Sequence, residues 1–476
     1  MRLLPLLTVL LLAFGLMACD TIIDDTIDPI DSAADTDLNS ADDVGFLING
    51  IIARSNNVHD NMTVQTSLMS DQFIFGGAHG GGATFPTFRD IMRGLPPDTN
   101  PLNNNSVDGT QNHLGQYRFL ADNLLRRLDE AGIESEAGRY AGNFHGGMAR
   151  YYWATYFAAL PGTDQEGGGV ISDLDNPADP ERGEFISSGE MYQLALEKFE
   201  AAEPLASDYQ QRLINSMKAR IHLFQNDLPQ AAEAAANGLA PGDPAFQNTY
   251  VDRAGNQANV WQGQGGVGRA QAVPAPRFFY SADYLGLDFN SPESARIPLL
   301  DPAVSGIPPD FGTVTTAGLL NREATHPLRF DLPLSVGDDV ALFVQGIQPE
   351  NDSPINIITW QENHLMLAEL AQRGATSGDP LALVNEVRAS YGIDDLSAAN
   401  FDGLNTIFTE RDKVTFATGI RLPDQRRATR FGLDSSGLNL DVHGWHLSDD
   451  VWWYLPITLA ERNNNPDPNL PTELPD

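Results

Sequence analysis

Three patterns of apolar spacing divide the chain. Leu3 to Leu16 is an almost unbroken apolar run behind Arg2. From Asp42 to about residue 240, and again from Ile357 to Thr418, apolar residues recur at helical spacing. Between these stretches, from Pro241 to about Ile355, the period disappears. There Gly, Pro, Asn and Asp recur among short runs such as Arg277-Phe278-Phe279-Tyr280 and Ala341-Leu342-Phe343-Val344. That composition predicts an irregular insertion with a few short strands, and long loops within a folded body usually carry function.

The helical spacing predicts helices over residues 42–54, 58–70, 111–128, 136–160, 190–205, 210–225, 229–239, 357–373, 380–391 and 401–418. In the fourth, Gly142, Gly146 and Gly147 allow a neighbouring helix to approach closely, and Pro161-Gly162 is expected to end it. Ala219 and Leu223 precede the turn Asn226-Asp227-Leu228, with Ala231, Ala232, Ala235 and Ala236 after it. Small residues facing each other across such a turn resemble tetratricopeptide hairpins, in which each hairpin buries a face on the next. The chain therefore reads as mainly α: a tetratricopeptide-like helical-repeat scaffold, with repeats at about 110–240 and 357–420 and a loop-rich insertion at about 241–355.

The first apolar run is too short to span a bilayer comfortably, which takes about 20 residues. It ends in Leu16-Met17-Ala18-Cys19, and Cys19 is the only cysteine of the chain. This reads as a cleaved secretory signal over residues 1–18 with a lipobox, making Cys19 the lipidated first residue of the mature protein. Residues 19–43 hold nine aspartates among few large apolar residues, a solvated tether between lipid and folded body.

Charge narrows the partners. The formal net charge is -35 and only Lys198, Lys218 and Lys413 are lysines. Such a surface repels phosphate backbones, which excludes nucleic acid as a partner and disfavours any polyanionic ligand.

Binding chemistry concentrates in two stretches. Phe73-Ile74-Phe75-Gly76-Gly77-Ala78-His79-Gly80-Gly81-Gly82, followed by Phe85 and Phe88, places aromatic rings on flexible backbone but lacks the Lys-Ser/Thr pair of a phosphate loop. Trp261 with Phe278, Phe279 and Tyr280 is the second. Flat rings beside Asn, Asp, Gln and Arg suit the C–H faces and hydroxyls of a sugar. The candidate ligand-binding residues are thus Phe75, His79, Phe85, Phe88, Trp261, Phe278, Phe279 and Tyr280. Asp173, Asp175 and Asp179 lie in a polar loop without EF-hand order, read as solvated rather than as a metal site. No cofactor is implied. The chain has no Gly-x-Ser-x-Gly elbow, no His-Glu-x-x-His helix and no cysteine nucleophile beyond Cys19, so catalysis is not expected. Glu410, Arg411, Arg421, Asp424 and Arg427 read as a structural brace. The tail aromatics His443, Trp445, His446, Trp452, Trp453 and Tyr454 read as the edge of a packed core.

Several of these features together resemble the SusD/RagB family of outer-membrane nutrient-binding lipoproteins. Phe46-Leu47-Ile48-Asn49-Gly50-Ile51 is similar to its early helix, and Ala149-Arg150-Tyr151-Tyr152-Trp153 through Leu160-Pro161 to its Arg-aromatic helix. Glu362 to Leu370, Val384-Asn385-Glu386-Val387-Arg388, Glu410-Arg411, the spacing Gly419, Arg421, Asp424, Arg427, and Leu455-Pro456-Ile457 are similar to its C-terminal motifs. Val414-Thr415, Thr418 and Gln425 depart from them. The resemblance implies one SusD-like domain over residues 44–476, held on the outer membrane at the cell surface by the lipid on Cys19. It also implies that the domain binds an oligosaccharide or peptide and delivers it to a SusC-like TonB-dependent transporter. A helical-repeat adaptor and a surface glycoside hydrolase are the alternative readings.

Overall fold

The computed structural model describes residues 40–75, 88, 91, 102–159, 167–171, 183–251, 259–265, 271–275, 277–300, 313–315, 339–341, 344–347, 349–350, 352–433, 452–465 and 467. Cys19, the acidic tether before residue 40, His79, Phe85 and the three aspartates of the 163–184 loop lie outside these residues.

A short 3-10 turn, Ala41–Asp43, leads into helix α1, Val44–Met69. The sequence pattern divides this segment into two helices around residues 55–57, but one 26-residue helix forms. Polar residues at the expected break find partners outside the helix, which removes the reason to interrupt it. Asn56 Nδ2 donates to the Thr249 carbonyl, and Ser55 is buried with its own carbonyl accepting from Asn248 Nδ2 at 3.0 Å.

Helices α2 (Asn105–Ala131), α3 (Glu136–Tyr156), α4 (Ser188–Ala202), α5 (Asp208–Phe224) and α6 (Leu228–Ala236) follow, each packed on its predecessor. Their starts are written in the sequence: Asn104, Ser135, Ser187, Ser207 and Asp227 each accept a backbone N–H of the first turn. Helix α3 sits between α2 and α4 at close range. A Cβ on Gly142 would lie 2.7 Å from Leu125 Cγ, and one on Gly147 would lie 2.8 Å from Phe199 Cε1. Gly146 has only ordinary contacts, so two of the three glycines are required. Helix α3 stops at Tyr156 rather than 160 because Phe157–Ala158 (β2) pairs in parallel with Leu455–Pro456 (β12). Ala219, Leu223, Ala231, Ala232 and Ala235 are buried in the α5–α6 hairpin, as the tetratricopeptide-like pattern requires, whereas Ala236, the last residue of α6, is exposed.

The second helical block comprises α9 (Trp360–Gln372), α10 (Pro380–Ser390), α11 (Gly403–Val414) and α12 (Arg421–Arg430). Helix α9 packs on α5 and α6, and α12 returns to α1, so the array closes on itself. A last helix, α13 (Leu459–Asn464), follows β12. Between the blocks lie two short helices, α7 (Val260–Gly265) and α8 (Arg277–Tyr280), the latter a single helical turn where an aromatic run stands in the sequence.

Every described sheet has two strands. Besides β2–β12, the antiparallel pairs are β1 (Phe73–Phe75) with β6 (Ala272–Pro274), β3 (Gly168–Val170) with β4 (Phe185–Ser187), and β5 (Phe246–Asn248) with β11 (Ile355–Ile358). Leu299–Leu300 (β7) also pairs with Val344–Gln345 (β10), and Thr313–Thr315 (β8) with Asp339–Ala341 (β9). The insertion is thus a set of short ribbons laid on a helical body. Trp452, Trp453 and Tyr454 are buried, as expected of a core edge, while His443, Trp445 and His446 lie outside the described residues.

Candidate functional site

The two predicted aromatic stretches meet at one ribbon, the first entering it as β1 and the second flanking β6 on either side. Strand β1 begins directly after α1, and its register pairs Phe73 with Pro274, Ile74 with Val273 and Phe75 with Ala272. Because the pair is antiparallel, the chain leaves the ribbon after Phe75 and enters it before Ala272 at the same end. The glycine-rich stretch and the segment after α7 are therefore rooted side by side.

The root of the ribbon is pinned by buried charge. Asp71 accepts two hydrogen bonds of 2.6 Å from Arg421 Nε and Nη2 and pairs with Arg277 Nη1 at 2.9 Å. Asp412 of α11 accepts from Arg277 Nη2 at 2.8 Å, Tyr284 Oη at 2.7 Å and Gln72 Nε2 at 2.8 Å. Burial alone would raise the Asp412 carboxyl, but Arg277 and Arg421 hold it well below the usual carboxylate range. Two arginines thus balance two carboxylates where α1, α8, α11 and α12 converge.

A second set of pairs continues the brace. Glu362 receives Arg220 and Arg411, Asp424 receives Arg411 and Arg427, and Glu369 receives Arg427 and Arg373. All five residues singled out in the sequence as a brace, Glu410, Arg411, Arg421, Asp424 and Arg427, are buried in ion pairs. Ionised groups at such depth persist only when paired and hydrogen-bonded.

The aromatic candidates separate into two groups. Trp261 is fully buried: its ring lies 4.6 Å from Phe73, its Nε1–H donates to Thr63 Oγ1 at 2.8 Å, and its backbone N–H donates to Asn259 Oδ1. Phe278 packs edge-on against Tyr284 and Phe416, with the Arg277 guanidinium 4.3 Å from its ring centre. Phe278 and Phe279 have no exposed surface, and Phe88 is 5% exposed. Rings enclosed in this way offer no face to a solute, and Trp261 packs directly on Phe73 of the ribbon. Phe75 and Tyr280 belong to β1 and α8 by backbone, while His79 and Phe85 fall outside the described residues.

Residues that position the ribbon escaped the sequence reading: Asp71, Gln72, Asp412 and Tyr284. Their signal was weak, since an acid at a helix end and a tyrosine in an irregular stretch are ordinary surface choices.

No family model matches the sequence, and no curated protein matches it. Solved structures do. A SusD superfamily protein from Bacteroides vulgatus is 15% identical, covering 91% of this chain and 100% of that one, with a TM-score of 0.61. Surface glycan-binding protein A from Bacteroides thetaiotaomicron is 14% identical over 90% of this chain and 98% of that one, with a TM-score of 0.58. A laminarin binding SusD-like protein is 12% identical with the same coverage, 90% and 98%, and a TM-score of 0.58. The closed helical array carrying an insertion of short ribbons is the SusD-like fold.

Proposed function

We propose that this chain is a non-catalytic, cell-surface glycan-binding protein that captures an oligosaccharide and delivers it to a TonB-dependent outer-membrane transporter. The observation that carries the reading is the fold shared over nine-tenths of the chain with proteins described as surface glycan-binding and as laminarin binding. The lipid on Cys19 places it on the outer membrane, and residues 20–43 give it reach. Capture belongs to the loops rooted on the β1–β6 ribbon. His79 and Phe85, with Phe75 and Tyr280, supply the polar and flat surfaces that sugars need, while Trp261 and Phe278 pack at the root. The net charge of -35 favours a neutral glycan over a polyanionic one.

Electrophoresis of the chain from Asp20 onward through gels cast with individual neutral polysaccharides tests this. One glycan class should retard the protein, and Phe85→Ala or His79→Ala should abolish the retardation without changing the far-UV spectrum. Retardation left intact by both changes would remove the loops from the site.

A further inference from the structure

A polar cleft of about 500 Å³ lies over one face of α11, between the segment that follows α8 and the loop joining α10 to α11. The volume is that of a small-molecule site, since such sites run to roughly 300–1,000 Å³. Its chemistry differs from that of the aromatic loops: among the described lining residues none is aromatic.

The floor is an ion cluster with its charges already engaged. Lys413 Nζ lies 3.1 Å from Glu293 Oε1 and 3.4 Å from Glu410 Oε1, and Arg388 Nη1 lies 2.8 Å from Glu410 Oε1. The cations of the cleft are thus bound to protein carboxylates rather than poised for a ligand anion. The wall is built from α11 and its cap. Asn405 Nδ2 donates to Asp402 Oδ2 at 2.8 Å, which fixes Asn405 Oδ1 as an acceptor, and that oxygen is buried without a hydrogen-bond partner among the described residues. Thr406 Oγ1 accepts from the Asp402 backbone N–H at 2.8 Å, so its own hydroxyl proton remains to be given. Thr409, one turn further on, lines the same face. That oxygen is closed to solvent, so the polar groups open to the cleft are the exposed Asp402 carboxylate and the half-buried Thr406 and Thr409 hydroxyls.

We infer that this cleft is a second binding site, for a neutral, hydroxyl-rich ligand of one to three sugar residues. The ligand is held edge-on by hydrogen bonds to Asp402, Thr406 and Thr409, with Asn405 holding the Asp402 carboxylate in place. The fit follows from the inventory: a carboxylate acceptor on Asp402, two adaptable hydroxyls, no unengaged cation and no ring to stack on. A uronate or sulfate would meet Asp402 and Asp283 with nothing to neutralise it.

The inference stands on the lining residues and not on the loop site, and the experiment separates the two. Maltotriose, cellotriose and laminaritriose are titrated calorimetrically into the chain from Asp20 onward and into Thr409→Val, Asn405→Leu and Phe85→Ala. Thr409→Val keeps the shape and loses only the hydroxyl, which guards against a folding artefact; thermal midpoints are checked for all variants. At least one trisaccharide should bind wild type, weaken about tenfold in Thr409→Val and more in Asn405→Leu, and remain unchanged in Phe85→Ala. Its counterpart with a terminal uronate should bind more weakly. Three results would each overturn the second site: no heat from any trisaccharide at 10-millimolar scale (about 10 mM, a generous excess for a weak site), binding indifferent to both cleft variants, or binding abolished by Phe85→Ala. Loss of polysaccharide retention in Phe85→Ala alone would bear only on the loops.

Discussion

Replacing Glu362 by Gln should destabilise the fold far more than any surface charge change of the same chemistry. Glu362 is 2% exposed. It accepts from Arg220 Nε at 2.9 Å, Arg220 Nη2 at 2.5 Å and Arg411 Nη2 at 3.0 Å. Gln retains the shape but turns an amide N–H₂ toward a guanidinium, donor against donor, so Arg220 loses its carboxylate and keeps one bond to the amide oxygen, the Ile357 carbonyl and a 3.4 Å contact to Tyr151 Oη. Arg411 keeps Asp424 at 2.6 Å. Breaking one side of such a pair costs about 3–5 kcal/mol, a large part of a total stability of about 5–15 kcal/mol. The control is Asp129→Asn. Its partner Arg139 lies at 2.8 Å, but the two side chains are 32% and 66% exposed, so the loss should be about 0–1 kcal/mol. Removing both buried charges, as Arg220→Met with Glu362→Leu, should recover most of the loss, because the desolvation cost disappears with the pair. Urea unfolding followed by far-UV circular dichroism and by tryptophan fluorescence measures all three, and coincident curves license the free energies. Glu362→Gln behaving like Asp129→Asn would refute the reasoning, as would a double variant no more stable than the single one.

The same brace makes the fold acid-labile. Burial acts to raise Glu410, but Lys413 and Arg296 hold it down at about 2, and Arg277, Arg411 and Arg427 likewise keep Asp412, Asp424 and Glu369 low. Folded values below unfolded ones mean stability present above the ordinary carboxylate range and lost as pH falls through about 4.5 toward 2; a thermal midpoint constant from pH 6 to pH 3 would contradict this. Asp60 has the opposite sign, pushed up to about 8 by burial against the Val260 and Asn61 N–H donors. Stability relative to Asp60→Asn should therefore be greatest near pH 4 and decline toward pH 8, by roughly 1–3 kcal/mol; parallel pH profiles for the two proteins would count against it. Gly419 has φ +77, and a Cβ there would lie 2.8 Å from Thr66 Oγ1 and 3.2 Å from Thr63 Cα. Gly419→Ala should cost roughly 2–3 kcal/mol through the left-handed backbone and the clash with α1, and an unchanged urea midpoint would show that α1 and the α11–α12 turn are not in close contact.

Much of the scaffold was legible because helices announce themselves locally. Ser207, Thr359 and Asp379 cap where the apolar period begins, and Ala219, Ala231, Ala232 and Ala235 are buried in the packed α5–α6 hairpin as small-residue packing demands. Helix α12 was not legible as a helix. Arg421, Asp424 and Arg427 read as part of a brace, but with Arg426 they give no apolar period, and all four are at most 5% exposed because their partners come from residues as distant as Asp71 and Glu369. Charge complementarity over such separations leaves no periodic trace. For the same reason the aromatic candidates read as two separate stretches: their proximity rests on the long-range β1–β6 register, and residue type cannot distinguish a ring that faces out from one that faces Thr63. The cleft over α11 left only a polar stripe, Asp402, Asn405, Thr406, Thr409, Lys413, identical in pattern to any solvated helix face.

Calorimetric titration of the chain from Asp20 onward with neutral polysaccharides, acidic polysaccharides and peptides, each at low and high salt, tests glycan capture itself. Heat is expected with one neutral glycan class and with little change with salt, because hydroxyl and ring contacts carry no net charge. Heat confined to peptides or to polyanions, or no heat from any glycan with a fully folded protein, would contradict it.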